Sequence, residues 1–212
     1  MARAAFRRAA GSAVLLTAAA DGDIAAIQDF LKTRKQDIND TDDSGMNALL
    51  YALENDHEDA AALLLHHGAD PDYAAGASKT TPLMIACENM MSGAVERLLL
   101  KGAQMDAQET TTGDTALMKA IRAKHAWAAC RLISAGAAME NTNRKGETAE
   151  TLARQHLSRE DVGFVSAAIL HRREEAAAAQ AEVHDRTVTE NCVLQRDIAP
   201  LKVITLRPRT PK

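Results

Sequence analysis

One segment recurs along this chain at a nearly constant spacing of roughly 34 residues. The copies "NALLYALENDHEDAAALLLHHGADPD", "TPLMIACENMMSGAVERLLLKGAQMD" and "TALMKAIRAKHAWAACRLISAGAAME" begin at Asn47, Thr81 and Thr115, at equal intervals. Weaker copies are "TAETLARQH", which begins at Thr148 after a slightly shorter interval, and "AVLLTAAADGDIAAIQDFLK", which begins at Ala13. A period of this size is typical of stacked supersecondary units, each of which contacts only its neighbours. The sequence therefore predicts five contiguous repeats over about residues 13–171.

Each copy carries the signals for two helices. An Asn or Thr stands where the first helix needs an N-cap, and Pro82 occupies a first helical position, where its missing N–H costs nothing. Apolar residues then recur at helical spacing, for example Leu49 with Ala52 and Leu53. A glycine after the second segment suits the left-handed conformation that ends a helix. The predicted caps are Asn47, Thr81, Thr115 and Thr148, and the predicted terminating glycines are Gly68, Gly102 and Gly136.

The stretch "HHGADPD", from His66 to Asp72, contains two histidines and two aspartates and raises the question of a metal site. Adjacent histidines on a helix point roughly 100° apart, so other segments would have to supply the remaining ligands. Within the repeat, the stretch coincides with the end of a second helix and the chain reversal after it. The sequence therefore favours a helix terminus here, and no metal site is predicted.

Composition supports a helical core. Hydrophobic residues make up 46% of the chain, but aromatic residues make up only 3%. Small and unbranched side chains suit closely packed helices, whereas sheets favour β-branched and aromatic residues. The predicted fold class is all-α.

The copies resemble the ankyrin repeat, whose pattern is T-P-L-H-x-A followed by L-L-x-x-G-A-D at a period of about 33 residues. The matching segments are "TPLMIA", "TALMKA", "LLLHHGAD" and "LLLKGAQMD". The resemblance implies a solenoid of paired antiparallel helices with hairpin fingers between the pairs. It also implies a protein-binding function, because a partner binds such solenoids on the concave surface of fingers and first helices.

Three departures from the ankyrin pattern are visible. The histidine of T-P-L-H is replaced in every copy, so its hydrogen bonds to neighbouring turns are expected to be lost. Lys79 stands in place of the finger glycine before the third copy, which predicts a different conformation for that finger. Glu150 replaces a core leucine in the last copy, as expected for a terminal cap with one face in water. The residues in the histidine position are Leu16, Leu50, Met84, Met118 and Thr151.

The resemblance, applied position by position, gives a candidate partner-binding set on four fingers and the helices that follow them. The predicted residues are Asp43, Ser44, Met46, Glu54 and Asn55 on the first; Lys79, Thr80, Glu88 and Asn89 on the second; Thr112, Asp114, Arg122 and Ala123 on the third; and Arg144, Lys145 and Glu147 on the fourth. This set runs from acidic to mixed and basic, so a protein partner with basic character facing the early repeats is expected. The alternative is that these residues are merely solvated.

Other classes of partner are not favoured. The formal net charge of −4 does not favour nucleic-acid binding. No apolar run approaches the roughly 20 residues of a membrane-spanning helix. The chain alone is expected to be monomeric.

No catalytic constellation and no cofactor motif is found, so the chain is predicted to be a non-enzyme without a cofactor. Cys87, Cys130 and Cys192 are too scattered for a zinc cluster or a disulfide framework. The leading prediction is a protein-binding module that acts as an adaptor or inhibitor, and two alternatives to it remain open at this point. One is a metal-buffering or stress-protective protein that uses histidines with Met90 and Met91, and the other is an exported ankyrin protein.

The basic segment 1–12 is relevant to the cellular compartment of the protein. Arg3, Arg7 and Arg8 precede a small-residue stretch that resembles a targeting peptide. Cleavage after Ala20 would destroy the first helix of the first repeat, however. A retained capping helix and a cytoplasmic protein are therefore favoured over an exported or organellar one.

The pattern changes after the repeats. Residues 172–186 are rich in strong helix formers and predict a C-terminal helix. Residues 187–212 predict an extended or disordered tail, basic from Pro200 onward. Alternation within "LKVITL" would let this segment add as a strand to a partner. The candidate tail motif is Leu201, Val203, Ile204 and Leu206, and the alternative is a tail that only aids solubility.

Overall fold

The computed structural model describes residues 13–33, 37–174 and Ala178. The basic segment 1–12, most of the predicted C-terminal helix after residue 174, and the tail motif of Leu201, Val203, Ile204 and Leu206 lie outside the described residues. Ten helices and no strand occur in the described part. They are α1 (13–21), α2 (Ile24–Thr33), α3 (Ala48–Glu54), α4 (Glu58–His66), α5 (Pro82–Glu88), α6 (Ser92–Leu100), α7 (Ala116–Arg122), α8 (Ala126–Ala135), α9 (Ala149–His156) and α10 (159–174).

The helices form five consecutive pairs, as the repeat predicts. The inner helices α3, α5, α7 and α9 pack side by side in chain order, and the outer helices α2, α4, α6 and α8 form a second layer. Within a pair, the inner helix packs against the outer helix: α3 against α4, α5 against α6 and α7 against α8. The fold is an all-α solenoid, which confirms the predicted fold class.

The predicted N-caps begin the inner helices. The side chains of Asn47, Thr81, Thr115 and Thr148 each accept a hydrogen bond from the backbone N–H three residues later. Thr148 also forms a reciprocal capping box with Thr151, which stands in the histidine position of the ankyrin pattern. These bonds satisfy N–H groups that the first turn of a helix leaves unpaired.

The core lies between the two helix layers. Leu49, Leu83 and Leu117, which occupy the same position in successive repeats, are fully buried. Leu50 and Met84, which replace the ankyrin histidine, are buried as well, so apolar contact takes the place of the missing hydrogen bond. In the last pair Leu152, Ala153, Val165 and Ile169 are buried, whereas Glu150 is exposed, as expected for a terminal repeat.

The stretch "HHGADPD" ends α4. His66 is the last helical residue, His67 is the C-cap, and Gly68 has a φ of +96°. The carboxylate of Asp72 accepts a hydrogen bond of 2.6 Å from the backbone N–H of Gln104 in the next repeat. Asn39 and Asp106 accept equivalent bonds from Asp70 and Ala138. The side chain of Asp72 therefore links its loop to the loop of the next repeat.

The fingers differ in length. The backbone hydrogen bond that closes the first finger runs from Asp42 to Met46, but the second is closed from Ala75 to Thr80. The corresponding pairs are Glu109–Asp114 in the third finger and Asn143–Glu147 in the fourth. The second and third fingers thus hold one extra residue, which explains why the interval from Thr115 to Thr148 is shorter than the two intervals before it.

Lys79 does not by itself change the course of the second finger. Its φ of +53° lies in the same left-handed region as the φ of Gly45, +78°, and of Gly146, +75°. Length rather than this dihedral separates the second finger from the first and fourth, and the third finger shares that length.

The chain divides into two compact units, Met1–Ile169 and Leu170–Lys212. The described part of the second unit consists of residues 170–174, the end of α10, and Ala178. Among the described residues, no helix combines the length and apolar character needed to span a bilayer.

Candidate functional site

The fingers are linked to one another through backbone groups. The N–H of Arg144 donates to the carbonyl of Thr112 at 2.9 Å, which joins the fourth finger to the third. The N–H of Thr110 donates to the carbonyl of Ser78 at 2.7 Å, which joins the third to the second. The Tyr73 hydroxyl donates to the carbonyl of Gly45 at 2.8 Å. The four fingers are therefore held in one row beside the inner helices.

Polar side chains one turn into the inner helices point back to the fingers. The hydroxyl of Tyr51 donates to the Asp42 carboxylate at 2.6 Å. This hydrogen bond is the main cause that lowers the pKa of Asp42 and raises the pKa of Tyr51. Asp42 also accepts from the backbone N–H groups of Ser44 and Met46 at 2.9 Å, so one carboxylate shapes the first finger.

Lys119 occupies the position of Tyr51 in the fourth repeat. Its ammonium group lies 3.0 Å from the carboxylate of Glu88 and 3.3 Å from that of Glu109. Burial lowers the pKa of Lys119, but the hydrogen bond and charge of Glu88, followed by those of Glu109, raise it overall. Burial likewise raises the pKa of Glu109, and Thr112 and Lys119 outweigh it, so the net shift is downward.

Arg122 forms a second group of ion pairs. Its guanidinium donates to Asp114 at 2.9 Å and to Glu147 at 2.8 Å. The amide of Asn143 donates to the same two carboxylates, at 2.8 Å and 2.9 Å. The hydrogen bond from Asn143 is the largest cause of the lowered pKa of Glu147. We call these residues together with Lys119, Glu88 and Glu109 the charged network.

Five residues of the charged network, Glu88, Asp114, Lys119, Arg122 and Asn143, line a pocket beside the third and fourth fingers. The pocket has a volume of about 470 Å³. Arg144 and Lys145 stand at its exposed edge, and Ala123 lies at the end of α7. We call it the finger pocket. Its lining residues are Glu88, Thr111, Thr112, Asp114, Lys119, Arg122, Ala123, Asn143, Arg144 and Lys145.

A family model described as ankyrin repeats (3 copies) matches residues 4–75 and 72–145. The chain belongs to the ankyrin-repeat family. A search of curated proteins found no match. Ankyrin repeats generally mediate protein–protein interactions, and the family is typically a non-enzymatic interaction module. The fifth helix pair, α9 and α10, lies beyond the matched residues.

The residues predicted to bind a partner fall into three groups in this ankyrin solenoid. Nine are exposed: Asp43, Ser44, Glu54, Asn55, Lys79, Glu88, Thr112, Arg144 and Lys145. Six are half-buried: Met46, Thr80, Asn89, Arg122, Ala123 and Glu147. Asp114 is buried, with 3% of its side chain exposed.

The prediction that Asp114 presents its carboxylate to a partner is therefore wrong. The residue precedes the Thr115 cap, and its side chain folds back onto Arg122 and Asn143. An isolated buried carboxylate is costly, so these two partners compensate it inside the ankyrin fold. Asp114 thus supports the finger pocket from beneath.

Several other predicted residues also have structural contacts. Asn89 donates from its amide to the carbonyl of Leu53 at 3.0 Å, which ties α5 to α3. Glu88 is ion-paired with Lys119, although 55% of its side chain remains exposed. By contrast, no hydrogen bond or ion pair within the described residues engages the charged groups of Asp43, Glu54, Lys79, Arg144 and Lys145.

Sequence reasoning missed Lys119, Glu109 and Asn143. Lys119 had a detectable signal, because a charged residue stands where Ile85 and Leu152 occupy the equivalent positions of other inner helices. Glu109 and Asn143 had none, because their roles depend on finger lengths and on partners in neighbouring repeats.

The thiols in the described part of the chain do not form a reactive site with the finger pocket. Burial raises the pKa of the Cys87 thiol to about 12. Burial and the charge of Asp161 raise the pKa of Cys130. No group of three or more His, Cys, Asp or Glu side chains in residues 13–33 and 37–174 is arranged to hold a metal ion.

Proposed function

We propose that this chain is a non-enzymatic adaptor or inhibitor that binds another protein on the concave face of its fingers and inner helices. The observation that carries the proposal is a row of exposed charged side chains that form no hydrogen bond or ion pair among the described residues, which includes Asp43, Glu54, Arg144 and Lys145. Because charged groups at an interface set partner choice and orientation, such a row is suited to recognition.

The partner's basic character faces the early repeats. Asp43 and Glu54 are exposed acids on the first finger and on α3, and neither forms an ion pair within the described residues. The chain acts as a monomer before it binds, and it acts in the cytoplasm. The second of these proposals is supported by the burial of Leu15, Ala18 and Ala19 in the core, since removal of α1 would expose that core.

The test is a charge reversal on the concave face. Asp43→Lys combined with Glu54→Lys should abolish capture of the partner from native cell extract, as measured by affinity purification and mass spectrometry. Both positions are exposed, so the thermal unfolding temperature should change little.

Glu140→Lys combined with Glu160→Lys is the matched control. It reverses the same number of exposed acids, but in a loop that follows α8 and on helix α10. Capture should survive in this protein. Equal loss from both double variants would mean that net charge, not the concave face, governs binding.

A further inference from the structure

Within the described residues, the exposed charged side chains that form no ion pair have opposite signs at the two ends of the concave face. Asp43 and Glu54 lie at the first finger and the end of α3, whereas Arg144 and Lys145 lie on the fourth finger. All four are exposed, and none forms an ion pair among the described residues. The middle of the face carries Lys79 and the ion-paired Glu88, of opposite sign, so the polarity of the face comes from its ends.

The charged network does not cancel this polarity. Two of its carboxylates are buried, since the side chains of Asp114 and Glu109 are 3% and 9% exposed, and Glu147 is less exposed than its partner Arg122. Glu88 is exposed, but it lies on α5 in the middle of the face and is paired with Lys119. The network holds four carboxylates and two cations, and Arg144 with Lys145 brings the local formal charge to zero. The positive groups are therefore the outermost ones at the fourth finger.

We propose that the partner binds as an extended segment with a fixed charge order, its basic end on Asp43 and Glu54 and its acidic end on Arg144 and Lys145. The inference rests on the proposed function and adds the partner's charge order and orientation. An acidic side chain meets the two exposed cations at the edge of the finger pocket. A basic side chain meets the two exposed acids at the other end.

The distance between the two ends suits such a segment. Inner helices α3 and α9 are separated by three helix spacings of about 8–10 Å each, which gives roughly 25–30 Å. An extended chain advances about 3.3 Å per residue, so about eight or nine residues join the two ends. A random peptide of about 12 residues is therefore long enough to contact both.

The experiment is a charge-swap exchange. Peptides of about 12 random residues are displayed on phage and selected on the immobilised full chain, and each selected peptide is also made with its acidic and basic residues interchanged. Binding of both forms is measured to the wild-type chain and to the variant Asp43→Lys, Glu54→Lys, Arg144→Glu, Lys145→Glu. Two reversals of each sign leave the net charge of this variant unchanged.

The wild-type chain should prefer the selected form by about tenfold or more, and the quadruple variant should prefer the interchanged form by a similar factor. A photo-crosslinker at the acidic end of a selected peptide should label the fourth finger, and one at the basic end should label the first. If both proteins bind both forms equally, or the labels appear at the opposite ends, the charge order is wrong.

A neutral variant separates this failure from failure of the proposed function. Ala123→Trp places bulk in the finger pocket without changing charge. Peptides that this variant blocks but the charge swap does not affect would overturn the charge order alone. If no peptide is selected, or if selected peptides bind regardless of both changes, the concave face is not a recognition surface and both proposals fail.

Discussion

His125 is the N-cap residue of α8 and is buried between the third and fourth repeats. Its Nε2 atom lies 3.0 Å from the hydroxyl oxygen of Ser92, and its ring stacks on Trp127 with a centroid distance of 5.9 Å. Burial lowers the pKa of His125 by more than the nearby backbone of Cys87 raises it. Folding therefore favours the neutral form of this imidazole over the protonated form.

This burial predicts a loss of stability in mild acid. The unfolded chain takes up the proton first as pH falls, so the contribution of His125 is complete above about pH 6.5 and is lost as pH falls through its folded pKa. The thermal unfolding temperature of the wild-type chain should be lower at about pH 5.5 than at about pH 7.5. His125→Gln should reduce this difference, whereas His67→Gln, which changes an exposed histidine, should leave it unchanged. An equal pH effect in all three proteins would contradict the role of His125.

At the scale of residues, roles that depend on nearby backbone could be predicted from the sequence, whereas roles that depend on a neighbouring repeat could not. The caps Asn47 and Thr81 and the glycine Gly68 could be identified because each acts on backbone groups within a few residues. Asp114 was misplaced because its environment depends on Asn143, which lies in the next finger. Its sequence neighbours carry no sign of that contact.

At the scale of elements, the fingers are positioned by close backbone contact. Gly113 has a φ of +76°, and a Cβ atom at this residue would lie 2.9 Å from the backbone nitrogen of Arg144. Gly146, at the equivalent place in the fourth finger, has a φ of +75° and open space around it. The two glycines thus share a conformation but differ in their neighbours.

Gly113→Ala should therefore be more destabilising than Gly146→Ala. In both variants the free energy of unfolding should fall by about 1–2 kcal/mol, because alanine disfavours the left-handed conformation. Only Gly113→Ala should also displace the fourth finger from the third. The free energies of unfolding from urea titrations provide the comparison, and faster hydrogen exchange at the Arg144 amide should accompany the larger loss. Equal losses would show that the fingers do not constrain each other.

The elements themselves were predictable to different degrees. The helix pairs followed from capping residues and apolar spacing, because these are properties of single repeats. The extra residue in the second and third fingers was harder to predict. A difference of one residue between repeat intervals does not show which part of the repeat is longer. The left-handed conformation of Lys79 has no sequence signal of its own, because lysine disfavours that region.

At the scale of the whole molecule, a solenoid is stabilised by contacts between adjacent repeats. Arg131 on α8 donates to Glu96 on α6 at 2.7 Å and 2.9 Å, a two-pronged ion pair between neighbouring outer helices. The outer helices thus contact one another, whereas Asp43, Arg144 and Lys145 on the fingers and Glu54 at the end of inner helix α3 form no ion pair among the described residues. We therefore expect the outer helices to stabilise the solenoid and the fingers with the inner helices to bind the partner.

Hydrogen–deuterium exchange, measured on the free chain and on the chain saturated with its captured partner, tests directly which elements bind the partner. We expect binding to slow exchange in the four fingers, residues 41–47, 75–81, 109–115 and 142–148, and at the ends of α3, α5 and α7. Exchange in α4, α6 and α8 should change little. Protection confined to the outer helices, with the fingers unchanged, would show that the partner does not bind on the concave face.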